Sequence, residues 1–224
     1  MKKILKVGMI GYNDGNGHPY SYSAIFNGYD KKKLLKQCPY PIIKKYLIND
    51  HKNKNHSPYA KVTHIWTQNK NVSKKIAAVS KIPNIVKNYK NLSSKVDCII
   101  LARDDIQNHY KIANFFLEKR IPIFIDKQLV FNKNELIKIK KTINKNNSLF
   151  VSGSTARYSK ELKAIKKFVS KDKILSIHCI SKVNWIRYAH HVLEPITIMI
   201  GTNLKYIRAL SCSKKYQILQ IKYK

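Results

Sequence analysis

Apolar residues recur along this chain in two rhythms, and their alternation carries most of the architecture. Short continuous apolar runs, KVGMIGYN, VTHIWTQ, DCIILAR, IPIFIDKQ and LFVSGST, read as strands buried on both faces, with a further short strand at NIVKN. Between them NVSKKIAAVSKI is amphipathic at helical spacing, and HYKIANFFLEKR places Tyr110, Ala113, Phe116 and Leu117 on one helical stripe. Asn132, with Glu135 three residues on, marks the start of another helix by satisfying its first N–H groups. Strands alternating with helices from residue 4 to about residue 155 predict an α/β fold, a doubly wound parallel sheet.

Two stretches break the rhythm. Residues 29–59, rich in Lys, Asn, Pro and Tyr, are expected to form an irregular insertion. Beyond the sheet-forming region, taken as residues 1–152, residues 153–224 change texture: a helix YSKELKAIKKFVSK, the run KILSIHCISKV, a helical segment ending near Gly201, then the strand-like NLKYIRALSCS and KYQILQIKYK. They predict a second, smaller and incomplete α+β domain. Its sheet of about three strands would leave an edge and an apolar face open.

The first crossover has the composition of a phosphate-binding turn. Gly11, Gly15 and Gly17 punctuate GYNDGNGHPY between a buried strand and a helix, where residues without a Cβ let an anion approach the unpaired N–H groups of the helix N-terminus. The spacing is Gly-x-x-x-Gly-x-Gly rather than G-x-G-x-x-G, so on its own the turn is as well explained by structure as by ligand.

Composition narrows the classes. With 224 residues and 44% hydrophobic positions the chain can bury a sizeable core. No run is long enough to span a bilayer, and no cleavage-site pattern precedes the glycine turn, so a cytoplasmic protein is expected. Cys38, Cys98, Cys179 and Cys212 are scattered without a C-x-x-C pair, which indicates neither a zinc site nor a disulfide framework. The net charge of +32 invites a nucleic-acid reading, but it is spread along the chain and almost all lysine, the arginines being Arg103, Arg120, Arg157, Arg187 and Arg208. No reader motif accompanies it, and no specific nucleic-acid partner is expected.

In a doubly wound sheet, ligands sit outside the carboxyl ends of the strands. Four polar groups fall there: NDGNGH at 13–18, with Asn13, Asn16 and His18; ARDDIQNH at 102–109, with Arg103 and His109; IDKQ at 125–128; and WIRYAHHVLEP at 185–195. In this order they resemble the Gfo/Idh/MocA family of NAD(P)-dependent oxidoreductases, through GNGHPYSYSAIFNGYD and through PIFIDKQL, which is similar to the family's Glu-Lys-Pro or Asp-Lys-Pro segment.

The resemblance covers essentially the whole chain. It implies a Rossmann-type N-terminal domain and an α/β C-terminal domain, acting on a sugar, polyol or nucleotide sugar. It makes Lys127 the lysine beside the nicotinamide, with Asp126 before it, and Gln128 stands where the motif has proline. It makes His191 the histidine that exchanges the hydroxyl proton; Arg187, four residues earlier, replaces an aspartate common in the family and becomes, with Tyr188, a substrate-binding candidate. His18 and His109 match positions lining the cofactor cleft.

After the second strand, where an acid ordinarily accepts the ribose hydroxyls of NAD, this chain reads Thr67, Gln68, Asn69 and then Lys70, which leans the expectation from NAD toward NADP. His191 and Glu194 alone do not make a metal site. The family's homo-oligomers form through the second-domain sheet, which is short here. Two alternatives stand beside the oxidoreductase: a dinucleotide-binding protein that has lost catalysis, suggested by Gln128 and Arg187, and a lysine-rich nucleic-acid binder.

Overall fold

A computed structural model of the chain describes residues 3–50, 56–169, 174–181, 185–212 and 217–224. It divides into two compact units, Met1–Ser152 and Gly153–Lys224.

Unit 1 is built on a six-stranded sheet in the order β3-β2-β1-β4-β5-β6: β1 Leu5–Ile10, β2 Ala60–Trp66, β3 Asn84–Ile85, β4 Cys98–Leu101, β5 Ile123–Asp126 and β6 Phe150–Gly153. β1 runs parallel to β2 and to β4, β2 to β3, and β4 to β5. The strand-by-strand alternation separates two cores. Val7, Met9, Ile65 and Ile100 face a layer made by α1 (His18–Asn27) and α4 (Lys70–Ser80), where Tyr20, Ala24, Ile76 and Val79 are buried. Ile10, Ile99, Leu101 and Ile125 face Ile112, Ala113, Phe116 and Leu117 of α5 (His109–Glu118) and Ile139 of α6 (Lys133–Asn146). Asn132 caps α6 by accepting from the Glu135 amide at 3.0 Å, and the Glu135 carboxylate accepts from the Phe131 amide at 3.0 Å.

The stretch 29–59 is not irregular: it folds into α2 (Lys31–Gln37), α3 (Pro41–Lys45) and a π-helical turn, Tyr46–Asp50. Local signals suffice for each. The Asp30 carboxylate accepts from the Lys33 amide at 3.0 Å, Pro41 opens α3, and Leu34 and Leu47, both fully buried, tie the segment to the first core. With so few apolar residues among lysines and asparagines, no periodicity showed.

Unit 2 contains α7 (Lys160–Phe168), capped by Ser159, then α8 (Trp185–Ile200) and an antiparallel hairpin of β7 (Leu204–Cys212) and β8 (Gln217–Tyr223). KILSIHCISKV, where described, is neither helix nor strand.

Candidate functional site

The strand order places a topological switch point between β1 and β4, because the connection after β1 returns through α1 on one face and that after β4 through α5 on the other. The loops that follow these two strands are fastened to each other. Arg103, 7% exposed, grips Asp105 with two donors, Nε at 2.7 Å and Nη2 at 2.5 Å, and its Nη1 donates to the Tyr12 carbonyl at 3.2 Å and to Gln68 Oε1 at 2.9 Å. Gln68 Oε1 also accepts from the Tyr12 amide at 3.2 Å, so one guanidinium joins the ends of β1, β2 and β4. Burial would raise the Asp105 carboxyl, but hydrogen bonds from Arg103 and Asn108 hold it below the usual carboxylate range.

A second bridge carries the candidate lysine. Lys127 Nζ lies 3.2 Å from Asp104 Oδ2, both side chains nearly buried. The Asn13 amide donates to the other Asp104 oxygen, and the Asp104 amide returns a bond to Asn13 Oδ1 at 2.9 Å. Lys127 has φ +68, the left-handed region that a non-glycine residue adopts only where its surroundings demand it; its carbonyl accepts from Ser152 Oγ at 2.9 Å. Asp105 stands at the N-cap of a short 3-10 turn without a capping bond from its side chain.

A third pair stands at the start of α1. His18 Nδ1 lies 2.5 Å from Asp126 Oδ2, and Tyr22 Oη donates to Asp126 Oδ1 at 3.0 Å. Asp104, Asp105 and Asp126 therefore each have a cationic or imidazole partner, and these three carboxylates do not repel an anion as bare charges would, while Asp14, in the turn itself, accepts from the Gly15 amide at 3.0 Å.

The glycine turn is ordered by its own side chains. Asn16, buried, accepts from the His18 amide at 2.8 Å and reaches the Ala102 carbonyl at 3.5 Å. Gly15 has φ +81, open to glycine. α1 starts at Gly17 without a side-chain cap and carries no acidic residue in its first turn, which leaves its dipole unopposed. The missing side chain at Gly17 serves packing, since a Cβ there would stand 2.9 Å from Tyr40 Cδ2. The Gly11 amide extends the strand pairing to Trp66 at 3.0 Å. Thr67 is buried, its hydroxyl bonded to the Asn69 carbonyl and to Ser73 Oγ, while Asn69 caps α4; of these three polar residues Gln68 alone meets the β1–β4 crevice. His109 is fully buried with Nδ1 2.6 Å from the Gln128 carbonyl and Nε2 3.1 Å from the Arg103 carbonyl, a brace between the β4 and β5 loops. Burial lowers its imidazole below the ordinary range despite both acceptors.

In unit 2, His191 Nδ1 lies 3.1 Å from Ser154 Oγ and its ring meets Tyr188 at 5.6 Å. Glu194 accepts from the Ser154 amide at 3.0 and 2.8 Å, with Arg157 3.5 Å away; burial raises its carboxyl in spite of both. Arg187 belongs to α8, but its side chain lies outside the described residues. No cluster of three metal-ligating side chains occurs among the described residues, and no helix among them is long and apolar enough to cross a membrane. Sequence reasoning named Gln68 only as a place where an acid is missing and passed over Tyr22 and Ser152; only nearness to strand ends or to the glycine turn could have raised these roles.

This topology, with a glycine-bearing turn over its switch point, defines a dinucleotide-binding α/β protein. Residues 43–154, half of the chain, match the family model described as "Oxidoreductase family, NAD-binding Rossmann fold", and the chain belongs to that Gfo/Idh/MocA family. The matched segment contains Arg103, His109, Asp126 and Lys127, and begins after the glycine turn. No curated protein sequence matches the chain significantly.

Similar solved structures include a dehydrogenase from Clostridium difficile (19% identity, TM-score 0.68, covering 99% of this chain and 67% of that one). A scyllo-inositol dehydrogenase from Lactobacillus casei with bound NAD(H) and scyllo-inositol has 12% identity and a TM-score of 0.64 over 96% of this chain and 61% of its own. A myo-inositol 2-dehydrogenase from Lactobacillus plantarum has 18% identity and a TM-score of 0.55 over 78% and 43%. This chain thus spans between 43% and 67% of the length of these three proteins.

Proposed function

We propose that unit 1 binds a nicotinamide dinucleotide across its switch point and that the chain takes part in hydride transfer to or from a sugar, polyol or nucleotide-sugar-like substrate. The observation that carries the reading is the fastening of the β1, β4 and β5 loops by Arg103–Asp105, Asn13–Asp104–Lys127 and His18–Asp126 around a helix N-terminus free of acids. These residues suit a pyrophosphate: no acid in the first turn of α1 opposes its dipole, and Asp104, Asp105 and Asp126 already have partners. When bound, the nicotinamide supplies the hydride acceptor or donor.

Lys127 places an ammonium at the end of β5, where it donates to a substrate oxygen and stabilises the negative charge that develops there. Asp104 holds that ammonium while Asn13 ties it to the glycine turn. His191 is the candidate proton carrier of unit 2, and Arg187 and Tyr188 are substrate-binding candidates on the same helix. The absence of a carboxylate at 67–69 and the exposed Lys70, Lys74 and Lys75 favour NADP over NAD. Gln128 and Arg187, at the two departures from the family pattern, support the second reading, a protein that binds the dinucleotide without turnover.

The test is oxidation of a panel containing myo-inositol, scyllo-inositol, hexoses and nucleotide sugars with NAD⁺ and NADP⁺, followed by nicotinamide absorbance. Turnover that falls by about 10²–10³ in Lys127→Met supports catalysis. Cofactor binding without turnover on any substrate favours the non-catalytic reading.

A further inference from the structure

The His18–Asp126–Tyr22 cluster has the build of an oriented acid–base group. Asp126 is 1% exposed, and its two oxygens face two different donors, His18 Nδ1 and Tyr22 Oη. Tyr22 is itself fixed, edge-on to Phe124 with ring centroids 6.2 Å apart. Burial and the adjacent Asp126 charge push its phenol far above the usual range, so the hydroxyl stays protonated and donates to the carboxylate. His18 and Tyr22 lie one helical turn apart on α1, their rings 5.1 Å from centroid to centroid, which restricts the imidazole further.

A buried carboxylate on Nδ1 selects the tautomer with the proton on that nitrogen and leaves the lone pair on Nε2. The carboxylate is buried while the His18 side chain is 32% exposed, so the imidazole is the part of the pair that a ligand can reach. Asp126 also directly precedes Lys127 in the chain, so one strand end sets the histidine and the lysine together.

We propose that His18, oriented by Asp126 and Tyr22, is a proton-exchanging residue of unit 1, acting on the substrate hydroxyl beside Lys127 as the alternative to His191 of unit 2. The proposal rests on the oxidoreductase reading. In the oxidative direction the hydroxyl O–H bond breaks and its proton forms an N–H bond with the Nε2 lone pair. A bound oxidised nicotinamide would supply the acceptor for the C–H electron pair, and the C=O bond forms as that pair leaves; reduction would run the same exchange backward. Asp126 and Tyr22 are positioning residues: they touch the imidazole, not the substrate.

Two readouts test this without a known substrate. ¹⁵N side-chain NMR of the whole wild-type chain is expected to show His18 protonated on Nδ1 in the neutral ring; a neutral ring protonated on Nε2 overturns the proposal. Acylation of His18 by diethyl pyrocarbonate, mapped by mass spectrometry, is expected to run about tenfold faster in wild type than in Asp126→Asn, with Tyr22→Phe between them. Saturating NADPH or NADH is expected to slow it.

Equal rates in wild type and Asp126→Asn, or no protection by a cofactor shown to bind, overturn the proposal. Should Asp126→Asn fail to fold, the wild-type tautomer decides. Failure of both cofactors to bind at all would sink the dinucleotide reading instead, and the tautomer and the rate ratio would still judge the dyad.

Discussion

A single methyl group at Gly17 separates the packing role of the glycine turn from its proposed ligand role. In Gly17→Ala the new Cβ would stand 2.9 Å from Tyr40 Cδ2 and 3.0 Å from Tyr40 Cγ and Ile43 Cγ1, where ordinary contact begins at 3.4 Å. The backbone at Gly17, φ −89 and ψ 0, lies at negative φ, which a residue with a Cβ can adopt. Replacing glycine restricts the unfolded chain and by itself stabilises by about 0.4–1 kcal/mol. Overpacking a site of this kind costs about 1–3 kcal/mol, and Tyr40 cannot simply swing away, because its ring packs edge-on against Tyr20 at 6.2 Å.

The expected balance is a loss of roughly 0.5–2 kcal/mol. Urea unfolding followed by far-UV circular dichroism measures it. In a Tyr40→Ala background, where the ring is gone and of these three contacts the one with Ile43 remains, the same substitution is expected to cost less, a coupling of about 1 kcal/mol or more. An alanine variant as stable as wild type, or one equally destabilised with and without the Tyr40 ring, refutes the packing argument.

Other expectations concern the fastenings of the crevice. Arg103→Lys keeps the charge but loses the fork that holds Asp105, Tyr12 and Gln68 together, and is expected to lower unfolding free energy by about 1–3 kcal/mol; urea unfolding that matches wild type would count against the network. His109 sets part of the pH dependence. Burial depresses its imidazole in the folded chain, so on acidification the unfolded chain takes up a proton that the folded chain resists. Stability therefore rises with pH from the depressed folded value up to about 6.5, and is lost as pH falls through that window. His109→Gln is expected to flatten this limb by up to about one proton, and a variant whose stability profile parallels wild type there would contradict the buried neutral imidazole.

The centre of the sheet was legible because β1, β4 and β5 are largely buried and so appear as unbroken apolar runs, such as Val7–Ile10 and Ile99–Leu101, whereas the edge strands β3 and β6, the latter read in sequence as equally buried, leave Ile85, Phe150 and Val151 exposed. The helix at Asn132 was legible from its capping pair. The helices between residues 31 and 50 were not, because their hold on the core comes from single residues such as Leu34 and Leu47 set among polar neighbours. At the candidate site, the rule that ligands gather at the carboxyl ends of strands picked out Asn13, His18, Arg103, His109, Asp126 and Lys127. What it could not supply was the pairing. His18 and Asp126 are 108 positions apart, and Arg103 and Gln68 are 35 apart. In a lysine-rich chain, nothing local tells a buried ammonium such as Lys127 from a solvated one.

The central claim is that the turn from Gly11 to Gly17 and the end of β4 receive the pyrophosphate of a nicotinamide dinucleotide. Titrating the whole chain with NADPH and with NADH while following nicotinamide fluorescence tests it directly. The expected result is saturable binding with a dissociation constant between about 1 μM and 1 mM, tighter for NADPH. Absence of binding by either nucleotide at about 1 mM would contradict the account.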